Sequence, residues 1–284
     1  MDVPFLKMNG LGNDFVVIDA RKHGLTPGPD AARRIGDRHR GVGFDQLLII
    51  GEGKHGADAE MRIWNADGDE VESCGNGTRC VASLIMAETG KARMSLWTKG
   101  GLLDCTREGD DRITVDMGAP KLDWQEIPLA ERMDTRILDI KMGPIDAPVL
   151  FGPSAVNMGN PHCIFFVDNA EAHDLRKIGP MLEYHPLFPE RANITIAQVM
   201  SKAEIRAHVW ERGVGQTLAC GTAACATAVA AARKRLTGRQ VRVVLDGGPL
   251  DIEWRESDGH VLMTGPTELS FTGTLPAHYF EAAR

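Results

Sequence analysis

The sequence has no long hydrophobic run. No stretch approaches the ~20 apolar residues that a bilayer-spanning helix needs, so no membrane span is predicted. The opening decapeptide, MDVPFLKMNG, carries an acid at position 2 and lacks a basic segment followed by an apolar one, so no secretory leader is expected and the cytoplasm is the expected compartment. There is no long block of like charge, no low-complexity segment and no extended linker. The net charge of −7 gives no electrostatic case for nucleic acid or an anionic membrane surface. No CxxC motif occurs among the six cysteines (74, 80, 105, 163, 220, 225), which argues against a thiol-redox motif, and their spacings do not match the usual structural zinc site. No pyridoxal site or metal-ligand cluster stands out.

What is present is an ordinary globular composition, 43% hydrophobic and 25% charged over 284 residues, enough for one large or two medium domains. The chain is organised around residues 210–226, WERGVGQTLACGTAACA, and 64–80, WNADGDEVESCGNGTRC. Each has a tryptophan ten residues before a Cys-Gly pair, and both the Trp64/Trp210 and the Cys74/Cys220 pairs are offset by 146. Asn13/Asn160 and Gln46/Asn193 repeat at 147, in the same order. The pattern predicts two related halves.

Extended segments are predicted at 3–8, 15–18, 46–50 and 59–64, then at 93–98, 102–107, 111–116, 136–142 and 145–150. In the second half they are predicted at 156–159, 163–167, 193–199, 205–210, 241–245, 249–254, 260–264 and 268–274. Residues 9–14 and Asn160-Pro161-His162 read as turns. Short helices are expected at 30–37, with Asp30 as N-cap, and at 180–184. Longer ones follow Cys74, stopping at Gly90, and span 221–236, stopping at Gly238. Strands outnumber helices, so the expected class is α+β, with each half a curved sheet around one central helix.

A cysteine just before a helix lies where free backbone N–H groups and the helix dipole favour negative charge, which promotes the thiolate. The N–H groups of Gly75-Asn76 and Gly221-Thr222 can also hold a carboxylate, and the glycines let it approach closely. Two such thiols on opposite faces of one carbon can remove its proton and return one from the other side, inverting the centre without a cofactor. The alternatives at this point are two buried structural cysteines or a disulfide. Cys80, Cys105, Cys163 and Cys225 read as small core residues.

At these residues the sequence resembles the diaminopimelate epimerase family. The matching segments are 8–19 (MNGLGNDFVVID), 41–46 (GVGFDQ), 62–80 (RIWNADGDEVESCGNGTRC), 157–168 (NMGNPHCIFFVD), 191–194 (RANI) and 210–226. The resemblance implies two pseudo-symmetric domains, 1–119 with 267–284 and 120–266, each a barrel-like sheet around its helix, with the site in the cleft between them. It implies interconversion of LL- and meso-2,6-diaminopimelate, on the route to lysine and peptidoglycan, with no cofactor or metal and as a homodimer. By motif, Cys74 and Cys220 would be the acid/base thiols, and Gly75, Asn76, Gly221 and Thr222 would cradle the reacting carboxylate. Asn13, Gln46, Asn65, Asn160, Asn193, Glu211 and Arg212 would line the substrate site, Arg212 gripping the distal carboxylate. His162 would help Cys74 ionise and Glu211 would help Cys220. Gln216 stands where the family often has Glu, Ala223 where many members have Gly, and Trp64 where Phe or Tyr is commoner. The rivals are another cofactor-free racemase of the same fold, a thiol-redox protein, and a binding-only domain.

Overall fold

In the computed structural model, residues 2–24, 27–72, 74–109, 111–144 and 146–280 are described. The chain divides into two compact units, Met1–Asp116 with Thr264–Arg284, and Met117–Met263. Among the described residues no helix is long and apolar enough to cross a membrane.

The first unit opens on a hairpin. Val3–Gly10 and Asn13–Asp19 pair antiparallel through a two-residue turn, in which Leu11 and Gly12 have φ of 60° and 81°. Two left-handed residues match the twist of the flanking strands, so the turn expected over 9–14 shrinks to its tip and Asn13 becomes the first residue of a strand. Asn13–Asp19 then pairs parallel with Gln46–Glu52, which pairs antiparallel with Ala59–Asn65. The Gly75–Thr89 helix crosses over to Arg93–Thr98, parallel to Ala59–Asn65, and Gly101–Arg107 and Arg112–Asp116 follow antiparallel. Glu268–Leu275 returns to cover the other edge of Val3–Gly10.

The helix is buried on nearly all sides, with Asn76, Arg79, Cys80, Val81, Ala82, Ile85 and Met86 inside. Burial of Ile85 and Met86 is worth about 2 kcal/mol each. Gly90 closes the helix at φ 72°, as expected from sequence. Outside the helix, Val16, Ile18, Ile35, Phe44, Leu47 and Ile49 form a second apolar cluster in this unit.

The second unit repeats this order. Ser154–Asn157 pairs antiparallel with Pro161–Phe166, which runs parallel to Asn193–Ser201. Glu204–Glu211 follows antiparallel, and the Gly221–Arg233 helix leads to Gln240–Leu245, parallel to Glu204–Glu211. The repetition extends to individual pairs. Phe15 faces Gln46 as His162 faces Asn193, Leu47 faces Trp64 as Ile194 faces Trp210, and Ala59 faces Leu96 as Ile205 faces Val243. Each correspondence keeps the offset of 146 or 147 seen in the sequence. The fold is thus α+β with two pseudo-symmetric halves. Alanines at 223, 224, 226, 228, 230 and 231 are buried, which lets the strands approach the second helix closely.

Several local expectations are corrected. The first short helix is Pro29–Gly36 with Gly28, not Asp30, at the N-cap; Pro29 lacks an N–H and suits the first helical position. The other spans Leu175–Glu183 rather than 180–184, with Asp174 capping Arg176 N at 3.2 Å. Pro161 and His162 lie in a strand, as a proline can at a strand's first residue, and the turn falls at 158–160. The second central helix ends at Arg233, not near Gly238: Arg235 takes φ 60° and Leu236 N bonds Ala231 O at 2.9 Å, a left-handed closure made without glycine. Of segments 136–142 and 145–150, only Lys141–Met142 and Leu150–Phe151 form a ladder. Ile145 lies outside the described residues, as do 281–284 of the expected first domain.

Candidate active site

In the first unit Cys74 is the N-cap of the Gly75–Thr89 helix, in extended conformation. Its Sγ accepts the Gly77 N–H at 3.3 Å, so the side chain takes up one of the helix's free donors. That bond and the helix terminus together stabilise negative charge on sulfur. Asn13 Oδ1 lies 3.9 Å from the same sulfur.

The two amides beside Cys74 are held in a defined order. Asp45 accepts from Asn13 Nδ2 at 2.9 Å, Asn13 Oδ1 accepts from Asn76 Nδ2 at 3.3 Å, and Asn76 Oδ1 accepts from Arg79 Nη1 at 2.9 Å. A carboxylate at one end and a guanidinium at the other decide which way both amides face, because each end admits only one partner type. The carboxylate end is itself anchored. Arg38 bridges Asp14 and Asp45, and the buried Lys7 bonds Asp14 and the Gly43 carbonyl. Burial raises the Asp14 pKa, but the Arg38 and Lys7 bonds and charges outweigh it and bring it down to about 2. Gln46 donates to Asn65 Oδ1 at 3.2 Å, as a separate pair across neighbouring strands, and its own Oε1 is buried without a hydrogen-bond partner.

In the second unit Cys220 is the N-cap of the Gly221–Arg233 helix and is only 5% exposed. Burial and the neighbouring Glu211 carboxylate push its thiol well above the usual value, against the Thr222 hydroxyl, 3.4 Å away, and the Ala223 N–H. Glu211 itself accepts from Thr217 Oγ1 at 2.5 Å. The matched caps therefore differ: Cys74 is half-buried with an N–H donated to sulfur, whereas Cys220 is buried beside an anion and holds its proton.

His162 is fully buried, its Nε2 2.8 Å from Asn160 Oδ1 and its Nδ1 without a hydrogen-bond partner. Burial, with the Arg212 charge, pushes its pKa down to about 3, so it is a neutral imidazole at neutral pH. Asn193, expected to line the substrate site, has both ends of its amide tied to backbone: Nδ2 donates to Pro161 O at 3.0 Å and Oδ1 accepts Arg212 N at 2.9 Å. Arg212 Nη1 donates to Glu190 O at 2.8 Å, and among the described residues its guanidinium pairs with no carboxylate.

The remaining cysteines are core residues, as expected. Burial lifts Cys80 and Cys105 to about 12 and Cys163 higher still. Iodoacetamide at pH 7.5 is therefore expected to modify Cys74 at least about tenfold faster than Cys220, by peptide mass spectrometry. Labelling of Cys220 should rise only as the pH climbs, because a raised pKa keeps the thiolate scarce until then. Cys220 reacting first would refute this ordering.

The family model for diaminopimelate epimerase matches residues 5–122 and 154–270, more than half of the chain. The chain belongs to the diaminopimelate epimerase family. The diaminopimelate epimerase of Rhodopseudomonas palustris (strain BisB18) is 52% identical over 281 residues, covering 98% of this chain and 96% of its own. That of Rhodospirillum centenum is 54% identical over 272 residues, covering 95% and 91%. Solved structures with the same fold include a PhzF-family phenazine biosynthesis protein from Bacillus anthracis, with TM-score 0.69 and 17% identity over 97% of this chain and 99% of that one. A hydroxyproline epimerase from Agrobacterium vitis has TM-score 0.67 and 15% identity over 96% and 91%. At such identities the likeness concerns the fold alone.

Within this chain, the motif residues of the first unit Cys74, Asn13 and Asn76 come together, with Gln46 and Asn65 as a second pair. In the second unit Cys220 meets Glu211 and Thr222, His162 meets Asn160, and Asn193 meets Arg212. Sequence reasoning gave Asp45, beside the site residue Gln46, no role, and did not find the supporting charges Arg38 and Arg79, nor Glu183. Asp45 adjoins Gln46 in sequence, which was a usable signal; Glu183 lies 28 residues before Glu211 and had none.

Proposed function

We propose that this chain interconverts LL- and meso-2,6-diaminopimelate without a cofactor, Cys74 and Cys220 acting as a thiolate/thiol pair. The observation that carries the proposal is the duplication itself: two cysteines at matching helix N-caps, in halves that repeat pair for pair, in a chain of this family. In one direction the Cys74 thiolate takes the α-proton, breaking the C–H bond and leaving its electron pair delocalised into the adjacent carboxylate. The Cys220 S–H then gives its proton to the opposite face, forming the new C–H bond and leaving Cys220 as thiolate. The inequality of the two caps favours Cys220 as the proton donor in the free enzyme, because burial and the neighbouring Glu211 raise its thiol pKa while the Cys74 sulfur accepts the Gly77 N–H.

The N–H groups of Gly75, Asn76, Gly221 and Thr222 would hold the carboxylate on which charge develops. Glu211 would receive or return the Cys220 proton between turnovers and face a substrate ammonium. His162 would assist Cys74 as a neutral hydrogen-bond partner, since burial disfavours its protonated form. Asn13, Gln46, Asn65, Asn160 and Asn193 would shape the polar wall, and Arg212 would grip the far carboxylate through two parallel hydrogen bonds. By family resemblance the enzyme would work in the cytoplasm as a homodimer.

The test is incorporation of solvent deuterium into LL-diaminopimelate by reduced protein, with a chelator present and no added cofactor. Deuterium at one α-carbon, with meso product, is the expected result. A folded, reduced protein that exchanges nothing would overturn the reading.

A further inference from the structure

Glu183 is the last residue of the Leu175–Glu183 helix, and its side chain is 4% exposed. A carboxylate at a helix C-terminus opposes the helix dipole, and a buried one needs donors to offset its lost hydration. Three are present. Oε2 accepts from Trp210 Nε1 at 2.8 Å, while Oε1 accepts from Gly213 N at 2.9 Å and from Arg191 Nη1 at 3.2 Å. Trp210 and Gly213 bracket Glu211 and Arg212. The same turn is held from the other side by Asn193 and the Glu190 carbonyl, both bonded to Arg212. The helix also fits the turn closely, since a Cβ at Gly179 would stand 2.4 Å from the Trp210 ring.

The internal repeat supplies a comparison. The Pro29–Gly36 helix occupies the same place in the first unit, and offset 147 sets Gly36 against Glu183. There the equivalent Trp64 Nε1 is buried without a hydrogen-bond partner, and the residues after Trp64 are the uncharged Asn65 and Ala66. The carboxylate thus occurs in the copy whose turn carries the Glu-Arg pair. A requirement for tryptophan packing alone would apply to both copies.

We propose that Glu183 is a positioning residue that clamps the 210–213 turn, aims Arg212 and Glu211 at the substrate, and so sets affinity for the carboxylate far from the reacting carbon. This rests on reading Arg212 as the grip on that carboxylate.

Glu183→Gln is the direct test. Glutamine has one acceptor oxygen, so its amide N–H₂ must face either the indole or the Gly213 N–H. KM for LL-diaminopimelate is expected to rise roughly tenfold with kcat within about threefold, the signature of lost binding shared by ground and transition states. Amide exchange at Arg212 and Gly213 is expected to quicken by roughly tenfold. Adding Trp210→Phe removes the opposed donor and should recover most of the lost affinity, a coupling that non-specific destabilisation would not produce.

Faster amide exchange with an unchanged KM would overturn the proposal, as would unchanged exchange or a double variant worse than Glu183→Gln alone. Should Glu183→Gln fail to fold, Trp210→Phe alone is expected to raise KM by about threefold, and a wild-type KM there would overturn it. Wild-type protein that exchanges no α-proton would defeat the epimerase reading separately, and the amide-exchange comparison would still decide whether the clamp exists.

Discussion

A Cys220→Ala enzyme is expected to lose epimerisation by at least about a thousandfold while keeping its fold. The change removes one sulfur from a helix N-cap at which the side chain makes no capping hydrogen bond, so the helix loses little. Cys74→Ala should be as damaging to turnover. It removes a sulfur that does accept the Gly77 N–H, so it should also cost about 1 kcal/mol of stability. Proton exchange separates the two-base mechanism from its rivals. With one thiol gone, the other can still remove a proton from its own face and return a solvent deuteron to the same face. Each variant should therefore exchange one stereoisomer without inverting it, and the two variants should prefer opposite stereoisomers. The measurement is α-deuterium incorporation into separate LL and meso samples. Full turnover by either variant would exclude Cys74 and Cys220 as the acid/base pair.

That pair was readable in the sequence because everything marking it is local. A cysteine, a glycine and a helical run are contiguous in each half, and the repeat brought the halves into correspondence before any strand was placed. Register was readable for a similar reason: the polar residues Gln46 and Asn193, each the first of its strand, recur at the offset of 147, and the parallel ladders preserve it.

The segment at 136–142 shows where local pattern fails. Burial does alternate there, with Leu138 and Ile140 inside and Ile137 out. Yet Leu138 N bonds Pro153 O at 2.7 Å and Gly152 N bonds Ile140 O, loop contacts with no continuous partner strand. Glycine and proline at 143, 144, 148, 152 and 153 interrupt the ladder that alternation predicts. Alternation reports which side faces the core, whereas a strand also needs a neighbour, and the neighbour is a non-local fact. The charges behind the site were illegible for the same reason. Arg38 reaches Asp14 across 24 residues, and Glu183 reaches Gly213 across 30. Neither separation carries a periodic signal.

Arg212→Ala is expected to lower kcat/KM for LL-diaminopimelate by about 10²–10³-fold, because truncating one side of a desolvated charge pair costs about 2–5 kcal/mol. The geometry makes this residue a better candidate for a ligand carboxylate than a surface ion-pair partner. Its backbone N–H is taken by Asn193 and one guanidinium N–H by the Glu190 carbonyl, which fixes the stem of the side chain. Among the described residues no carboxylate neutralises the head, so the protein holds a positioned cation with donors to spare. Arg212→Lys separates charge from shape: an ammonium keeps the charge and loses the planar fork, so it should recover only part of the loss. Lysine, which lacks the second carboxylate of diaminopimelate, supplies the control. Whatever α-exchange the wild-type enzyme gives with L-lysine should be nearly unaffected by Arg212→Ala, so the preference for diaminopimelate collapses. Equal losses on both substrates would instead mean that Arg212 acts at the reacting carbon rather than at the far carboxylate.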